Sequence, residues 1–146
     1  MALDVSGKCM CGAVSYSASV AEPELGACHC SMCRRWSGGV YLGVAIKPDA
    51  IRFEGNDNIQ VFKSSPWAER AFCKTCGSNL YYRVTAPGEH HGIYHIGAGT
   101  MDDQKGLTLS QQLFIDQKPS GYSFAETTTD LTQAQVEALF GGAAET

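Results

Sequence analysis

Seven cysteines fall in three tight groups, and no other residue type capable of chemistry is so strongly clustered. They read Cys9-Met10-Cys11, Cys28-His29-Cys30-Ser31-Met32-Cys33 and Cys73-Lys74-Thr75-Cys76. Thiolates this close in sequence can grip one soft cation with little loop strain, and zinc, tetrahedral at about 2.3 Å from sulfur, is the usual occupant. Seven divides into four plus three. Four cysteines close a structural zinc site, whereas three leave one coordination position for water or a substrate thiol. A disulfide framework would strand one cysteine. The start Met1-Ala2-Leu3-Asp4-Val5 has neither the positive segment nor the apolar core of a signal peptide. A reducing, cytoplasmic setting is therefore expected, where paired cysteines serve as ligands or catalytic groups. The spacings match none of the common ferredoxin runs, which disfavours an iron–sulfur cluster.

Cys11 and Cys76 are each followed by a glycine, Gly12 and Gly77. Glycine there lets the chain turn sharply and aim amides at the sulfurs, which stabilises thiolates. The middle group lacks that glycine and runs into Arg34 and Arg35. This asymmetry assigns Cys9, Cys11, Cys73 and Cys76 to a closed site and Cys28, Cys30 and Cys33 to an open, catalytic one, with two zinc ions per chain. A rival division joins Cys30 and Cys33 to Cys73 and Cys76 as in a zinc ribbon, leaving Cys9, Cys11 and Cys28 without an obvious purpose.

A zinc ion on three thiolates has a net charge near −1, low enough to accept another anionic ligand, and a thiol coordinating there loses its proton. Its sulfur could add to a carbonyl, and the reverse reaction breaks the same carbon–sulfur bond. Arg34 and Arg35, directly after the last ligand, are placed to meet substrate carboxylates. His95, in the alternating run Ile93-Tyr94-His95-Ile96, is a second substrate-facing candidate, with a half-buried strand histidine as the plainer reading. His29, between two ligands, should point away from the metal. If His29 or His95 instead closed the site, a non-catalytic scaffold or protein-interaction module would be favoured. His90 and His91, beside Gly88 and Gly92, read as loop or lid residues. Tyr81 and Tyr82 straddle two faces of one strand, and core packing suits one of them. No phosphate loop, hydride-cofactor fingerprint or Ser-His-Asp arrangement stands out.

The elements that must position these groups are short. Val14, Tyr16 and Ala18 alternate with serines, as in a half-buried strand, and Val40 to Ile46 is an apolar run before the turn Lys47-Pro48-Asp49. Ile51 to Phe53, Ile59 to Phe62, Ala68 to Phe72, Leu80 to Val84 and Ile93 to Ile96 repeat the pattern, and Leu113-Phe114-Ile115 is the expected last strand. Near the end, Thr132 with Gln135 makes a capping box, and Leu131 can staple onto Val136. Val136, Leu139 and Phe140 then share a helical face before Gly141, which predicts a helix over 132–140. The class is mainly β, one domain over residues 1–146, with one short C-terminal helix.

Bulk properties narrow the partners. With 44% hydrophobic and 18% charged residues the chain has the composition of a globular protein. No apolar run approaches the roughly 20 residues that span a bilayer, so no membrane association is expected. The net charge is −4 without a basic stripe, which argues against nucleic acid. The pattern specifies no oligomeric state.

With the groups in hand, the chain resembles the glutathione-dependent formaldehyde-activating enzyme family, which includes centromere-protein-V-like proteins. The matching residues are Gly7-Lys8-Cys9-Met10-Cys11-Gly12-Ala13-Val14, then Cys28 through Arg35 with Ser37-Gly38. Arg70-Ala71-Phe72-Cys73-Lys74-Thr75-Cys76-Gly77-Ser78-Asn79-Leu80 and Gly99-Thr100-Met101-Asp102 follow, so the match covers most of 7–119. The resemblance implies a zinc-bound, Mss4-like fold of several small antiparallel sheets, with the same four-plus-three division of cysteines. It also implies carbon–sulfur lyase chemistry on a glutathione adduct such as S-hydroxymethylglutathione. Two positions depart from the family: Gln112 stands where a histidine is common before an apolar pair, and Ser120-Gly121-Tyr122 follow Lys118-Pro119 where a tryptophan is common. A different substrate is the consequence to expect if those positions touch it.

Overall fold

The structure, a computed structural model, describes residues 2–139. Strands β1 (Leu3–Lys8) and β2 (Ser15–Val20) flank the first cysteine pair, and β3 (Glu24–Cys28) ends on a cysteine and feeds helix α1 (Ser31–Ser37). Then come β4 (Tyr41–Ile46), β5 (Ile51–Glu54), β6 (Ile59–Ser65), β7 (Ala68–Cys73), β8 (Asn79–Val84) and β9 (Tyr94–Gly97). The described chain finishes with β10 (Thr108–Leu113), β11 (Thr129–Leu131) and helix α2 (Gln133–Leu139).

Two sheets result. β1, β2 and β5 make a three-stranded antiparallel sheet, and the other eight strands form one sheet in the order β11-β10-β3-β4-β9-β8-β7-β6. The mainly β class stands, with a larger and mixed sheet: β10 runs parallel to both β3 and β11. A parallel neighbour needs a crossover of about a dozen residues, and residues 98–107 carry the chain from β9 across to the far side of β3.

Period-two alternation gives the large sheet two working faces. Val44, Ile46 and Ile96 join Val5, Val14, Tyr16 and Val20 of the small sheet in the main core. The intervening residues look the other way. There Tyr41 packs with Cys28, Cys30, Cys33, Phe114 and Val136 in a second cluster, against which Tyr82 and Trp36 lie. Tyr81 and Tyr82 accordingly separate, one to each side.

The C-terminal helix forms as its caps dictate: Thr132 Oγ1 accepts from the Gln135 amide at 3.3 Å, and Gln135 Oε1 accepts from the Thr132 amide at 2.8 Å. Val136 is buried beside Leu131, whereas Leu139 is 61% exposed, so the apolar face is narrower than expected. Phe140 and Gly141 lie outside the described residues. Three sequence expectations are corrected. The strand over Leu113-Phe114-Ile115 stops at Leu113, because Phe114 turns into the left-handed region (φ 57°) and Ile115–Gln117 forms a 3-10 turn. The last described strand is β11 rather than this one. A second helix, α1, is present; it is seven residues long and buries Cys33 alone, too little to leave an apolar periodicity.

Candidate functional site

The four-sulfur set lies where the two sheets meet. Cys9 and Cys11 follow β1 of the small sheet, while Cys73 ends β7 and Cys76 lies in the β7–β8 turn of the large one. Their Sγ atoms all lie within 4.8 Å of one another. The Cys9–Cys11 separation is 3.6 Å and the Cys11–Cys73 separation 3.8 Å. A tetrahedron with sulfur about 2.3 Å from its centre has edges of about 3.8 Å, so this donor set fits such an ion. Both knuckles use the glycine as expected. Gly12 (φ 82°) and Gly77 (φ 77°) are left-handed, a conformation open to glycine without steric cost.

Donors then converge on the sulfurs: Val14 N–H on Cys9 at 3.3 Å, Asn58 Nδ2 on Cys73 at 3.0 Å, and Ser78 Oγ beside Cys76 at 3.2 Å. Hydrogen bonds from the Ser78 hydroxyl and amide and from the Cys11 amide hold the Cys76 thiol down to about 5. The Cys76 amide lowers Cys73 in the same way. Cys11 accepts from the Ala13 amide, yet desolvation and the Cys9, Cys76 and Cys73 sulfurs push it up to about 11. The set favours thiolates and shares the remaining protons, which is the chemistry of a cation cage.

The three-sulfur set is built by one short segment. Cys28 ends β3, Cys30 is the N-cap of α1, and Cys33 lies in its first turn. All three are buried, with Sγ atoms within 4.8 Å of one another. The Cys30 sulfur caps the helix by accepting from the Cys33 amide at 3.3 Å, the role a serine or aspartate oxygen usually plays. Hydrogen bonds from the Cys28 and Cys33 thiols hold Cys30 down to about 3. Cys28 is pushed well up by the Cys30 and Cys33 sulfurs. Cys33 accepts from the Cys28 thiol, which lowers it, but Cys30 and burial push it up to about 12. The three sulfurs share their protons, with Cys30 favoured as the thiolate. Among the described residues no histidine or carboxylate ligand atom joins these three sulfurs.

A cavity of about 140 Å³ is lined by all three cysteines together with Arg70, Tyr82, His95 and Phe114. A larger one of about 600 Å³ shares Cys28, Tyr82 and His95 and runs along the large sheet past Gly26, Gly43 and Lys47. Gly26 pairs with Gly43 across β3 and β4, so two glycines meet on the cavity wall. The half-buried His95 stacks on Tyr82 with ring centroids 4.4 Å apart and planes 8° from parallel. Burial, with a smaller contribution from His90, pushes its imidazole down to about 4, so it is neutral at physiological pH.

His29 does turn away from the sulfurs: Nε2 meets Gln112 Oε1 at 2.9 Å, and Gln112 Nε2 donates on to Thr128 Oγ1 at 3.0 Å. Tyr122 Oη lies 3.5 Å from His29 Nδ1. The two positions that depart from the family pattern therefore meet each other around His29 rather than in the cavities. His90 lines both cavities, while His91 is exposed and bonded to the Thr85 and Ala86 carbonyls. Arg34 and Arg35 are exposed on α1 and line neither cavity. The guanidinium that reaches the sulfurs is that of Arg70, on β7, whose Nη2 is 3.3 Å from Cys33 Sγ. Arg70 opens one of the stretches that match the family, but spacing does not reveal this contact, which joins positions 37 apart.

A mainly β chain with a four-sulfur cage between two sheets and an open three-sulfur set beside a cavity defines a class of cysteine-rich proteins able to hold two metal ions. The particular family follows from comparison. The chain belongs to the glutathione-dependent formaldehyde-activating enzyme family, whose profile matches residues 4–117. It is 34% identical over 135 residues to a protein of Schizosaccharomyces pombe named as an uncharacterized lyase, covering 91% of this chain and 94% of that one. A Podospora anserina protein provisionally named glutathione-dependent formaldehyde-activating enzyme is 26% identical over 66% of this chain. A Halomonas elongata protein with the same provisional name is 30% identical over 53% of it. The chain spans about half the length of these two relatives, 47% and 54%. The crystal structure of a Rhodobacter sphaeroides protein shares the fold, with a TM-score of 0.58 at 20% identity over 72% of this chain and 99% of that one. No helix among the described residues is long and apolar enough to cross a membrane.

Proposed function

We propose that the protein is a zinc-dependent carbon–sulfur lyase acting on the adduct of a small thiol with an aldehyde, S-hydroxymethylglutathione being the first candidate. The observation that carries this reading is the juxtaposition of three buried, converging sulfurs with a neutral histidine on one cavity wall. Family membership and the names of the relatives support the thiol and the aldehyde. Zinc, one ion per sulfur set, would lock the four-sulfur cage and, at the three-sulfur set, stabilise a substrate sulfur as thiolate while acting as a Lewis acid.

The chain itself does the rest. Tyr82 stacks flat on the His95 ring, and the neutral imidazole on this cavity wall keeps a lone pair on one nitrogen. In cleavage, the hydroxyl on the adduct carbon gives up its proton toward that nitrogen. The carbon–oxygen bond closes to a carbonyl, and the carbon–sulfur bond breaks with its electron pair going to sulfur. Formation of the adduct runs the same steps backwards, the carbonyl oxygen gaining the proton. The furrow over Gly26 and Gly43 offers room for the remainder of a thiol tripeptide, with Lys47 on its wall. Arg34 and Arg35 receive no contact with the reacting atoms in this scheme. A reducing cytoplasm, which keeps thiols free, suits this substrate class.

The test is zinc per chain on protein purified without chelators, followed by exchange NMR of glutathione and formaldehyde. Two zinc ions and faster adduct exchange, lost in Cys30→Ser, are expected. One tight zinc and an unchanged exchange rate would leave a scaffold, and the enzyme reading would fall.

A further inference from the structure

Arg70 is a buried cation without a carboxylate. It is 6% exposed, and among the described residues no Asp or Glu oxygen lies within ion-pair distance of it. Nη1 donates to Ser64 Oγ at 2.6 Å and Nη2 to Cys33 Sγ at 3.3 Å. The Nε–H, shielded from solvent, has no acceptor at all. Trp36 and Tyr82 sandwich the guanidinium, their ring centroids 5.5 and 5.6 Å from Cζ. Burying a permanent charge is strongly unfavourable unless an opposite charge lies close by. The opposite charge available here is that of the three cysteines, whose cavity Arg70 also lines.

We infer that Arg70 is the positioning residue that makes the three-sulfur site select an anionic fourth ligand. Three thiolates on a divalent cation carry about −1, and Arg70 returns the local total to about zero. A thiolate arriving as fourth ligand then adds its charge to a neutral centre instead of an anionic one. A neutral ligand such as imidazole gains nothing from the guanidinium. Ser64 and the two aromatic faces fix the group against Cys33 and away from solvent, where its charge is least screened. The inference rests on the metal-holding reading of Cys28, Cys30 and Cys33 given above, and it adds a residue that lies far from them in sequence.

The experiment uses the full chain loaded with cobalt(II) under anaerobic conditions, with sulfur-to-cobalt absorption reporting the metal environment. 2-Mercaptoethanol and imidazole are titrated separately into the wild type, Arg70→Lys and Arg70→Met. In the wild type, 2-mercaptoethanol should perturb the spectrum of the second cobalt. Arg70→Met should weaken thiol binding roughly 10- to 100-fold while leaving imidazole binding within about twofold, since the charge is lost and an apolar side chain still fills part of the space beside the two rings. Arg70→Lys should recover part of the loss. Ser64→Ala, which frees the guanidinium without removing charge, serves if Arg70→Met fails to fold, and should weaken the thiol alone, by several-fold. Equal weakening of thiol and imidazole, or none of either, overturns the inference while the metal site stands. A wild type that takes up only one cobalt overturns both.

Discussion

Cys76→Ser and Cys30→Ser should differ sharply in stability, because the two sulfur sets close loops of very different length. An ion in the four-sulfur cage ties Cys11 to Cys73 across 62 positions, with the sulfurs 3.8 Å apart. On the chain-entropy account, constraining a loop of that size is worth about 4 kcal/mol. That is a large fraction of the roughly 5–15 kcal/mol that holds a domain folded. It also joins the small sheet to the large one at the edge of their shared core. The three-sulfur set spans one strand end and one helical turn, a loop worth about 2 kcal/mol at most, much of it already fixed by β3 and α1. Serine at position 30 also keeps an N-cap acceptor for the Cys33 amide.

Zinc-loaded Cys76→Ser is therefore expected to melt about 10–15 °C below the wild type, and Cys30→Ser within about 5 °C of it. Thermal unfolding followed by circular dichroism, with zinc per chain measured on the same samples, reads both numbers. Equal losses in the two variants, or a larger loss in Cys30→Ser, would refute the division into a structural cage and an open site.

Two further outcomes follow from buried polar groups. His95 is neutral in the folded chain, pushed down to about 4, while an unfolded histidine titrates near 6.5. Unfolding between these values takes up a proton, so His95 costs nothing above pH 6.5 and lowers stability progressively as pH falls toward 4, by on the order of 2–3 kcal/mol. Urea unfolding at pH 7 and pH 5 should show the wild type losing more than His95→Gln; parallel losses would contradict the shift. Gln112→Leu strips His29 Nε2 of its partner in a buried site and should cost about 1–3 kcal/mol in urea unfolding at pH 7. A loss under about 0.5 kcal/mol would mean that the His29 ring finds another partner.

What could be read without coordinates was local. The Cys-Gly knuckles named the four-sulfur cage because a left-handed turn is a property of a few consecutive residues, and Gly12 and Gly77 adopt it. The capping box at Thr132 and Gln135, the alternating run that became β2, the continuous apolar run that became β4 and the short runs that became β7 and β8 are legible for the same reason. The open set was legible by elimination, being the group without a glycine. What needed the tertiary structure was every contact made across the sheet. Strand order places Arg70 against Cys33, stacks His95 on Tyr82 and pairs Gly26 with Gly43 on the cavity wall. Arg34 and Arg35 looked apt by adjacency, but a helix directs successive side chains about 100° apart, and with Cys33 turned inward these two face solvent. Spacing in the chain chose the two sulfur sets, because knuckles are short; pairing of distant strands chose the charges and rings around them, because sheet neighbours are set by packing rather than by sequence distance.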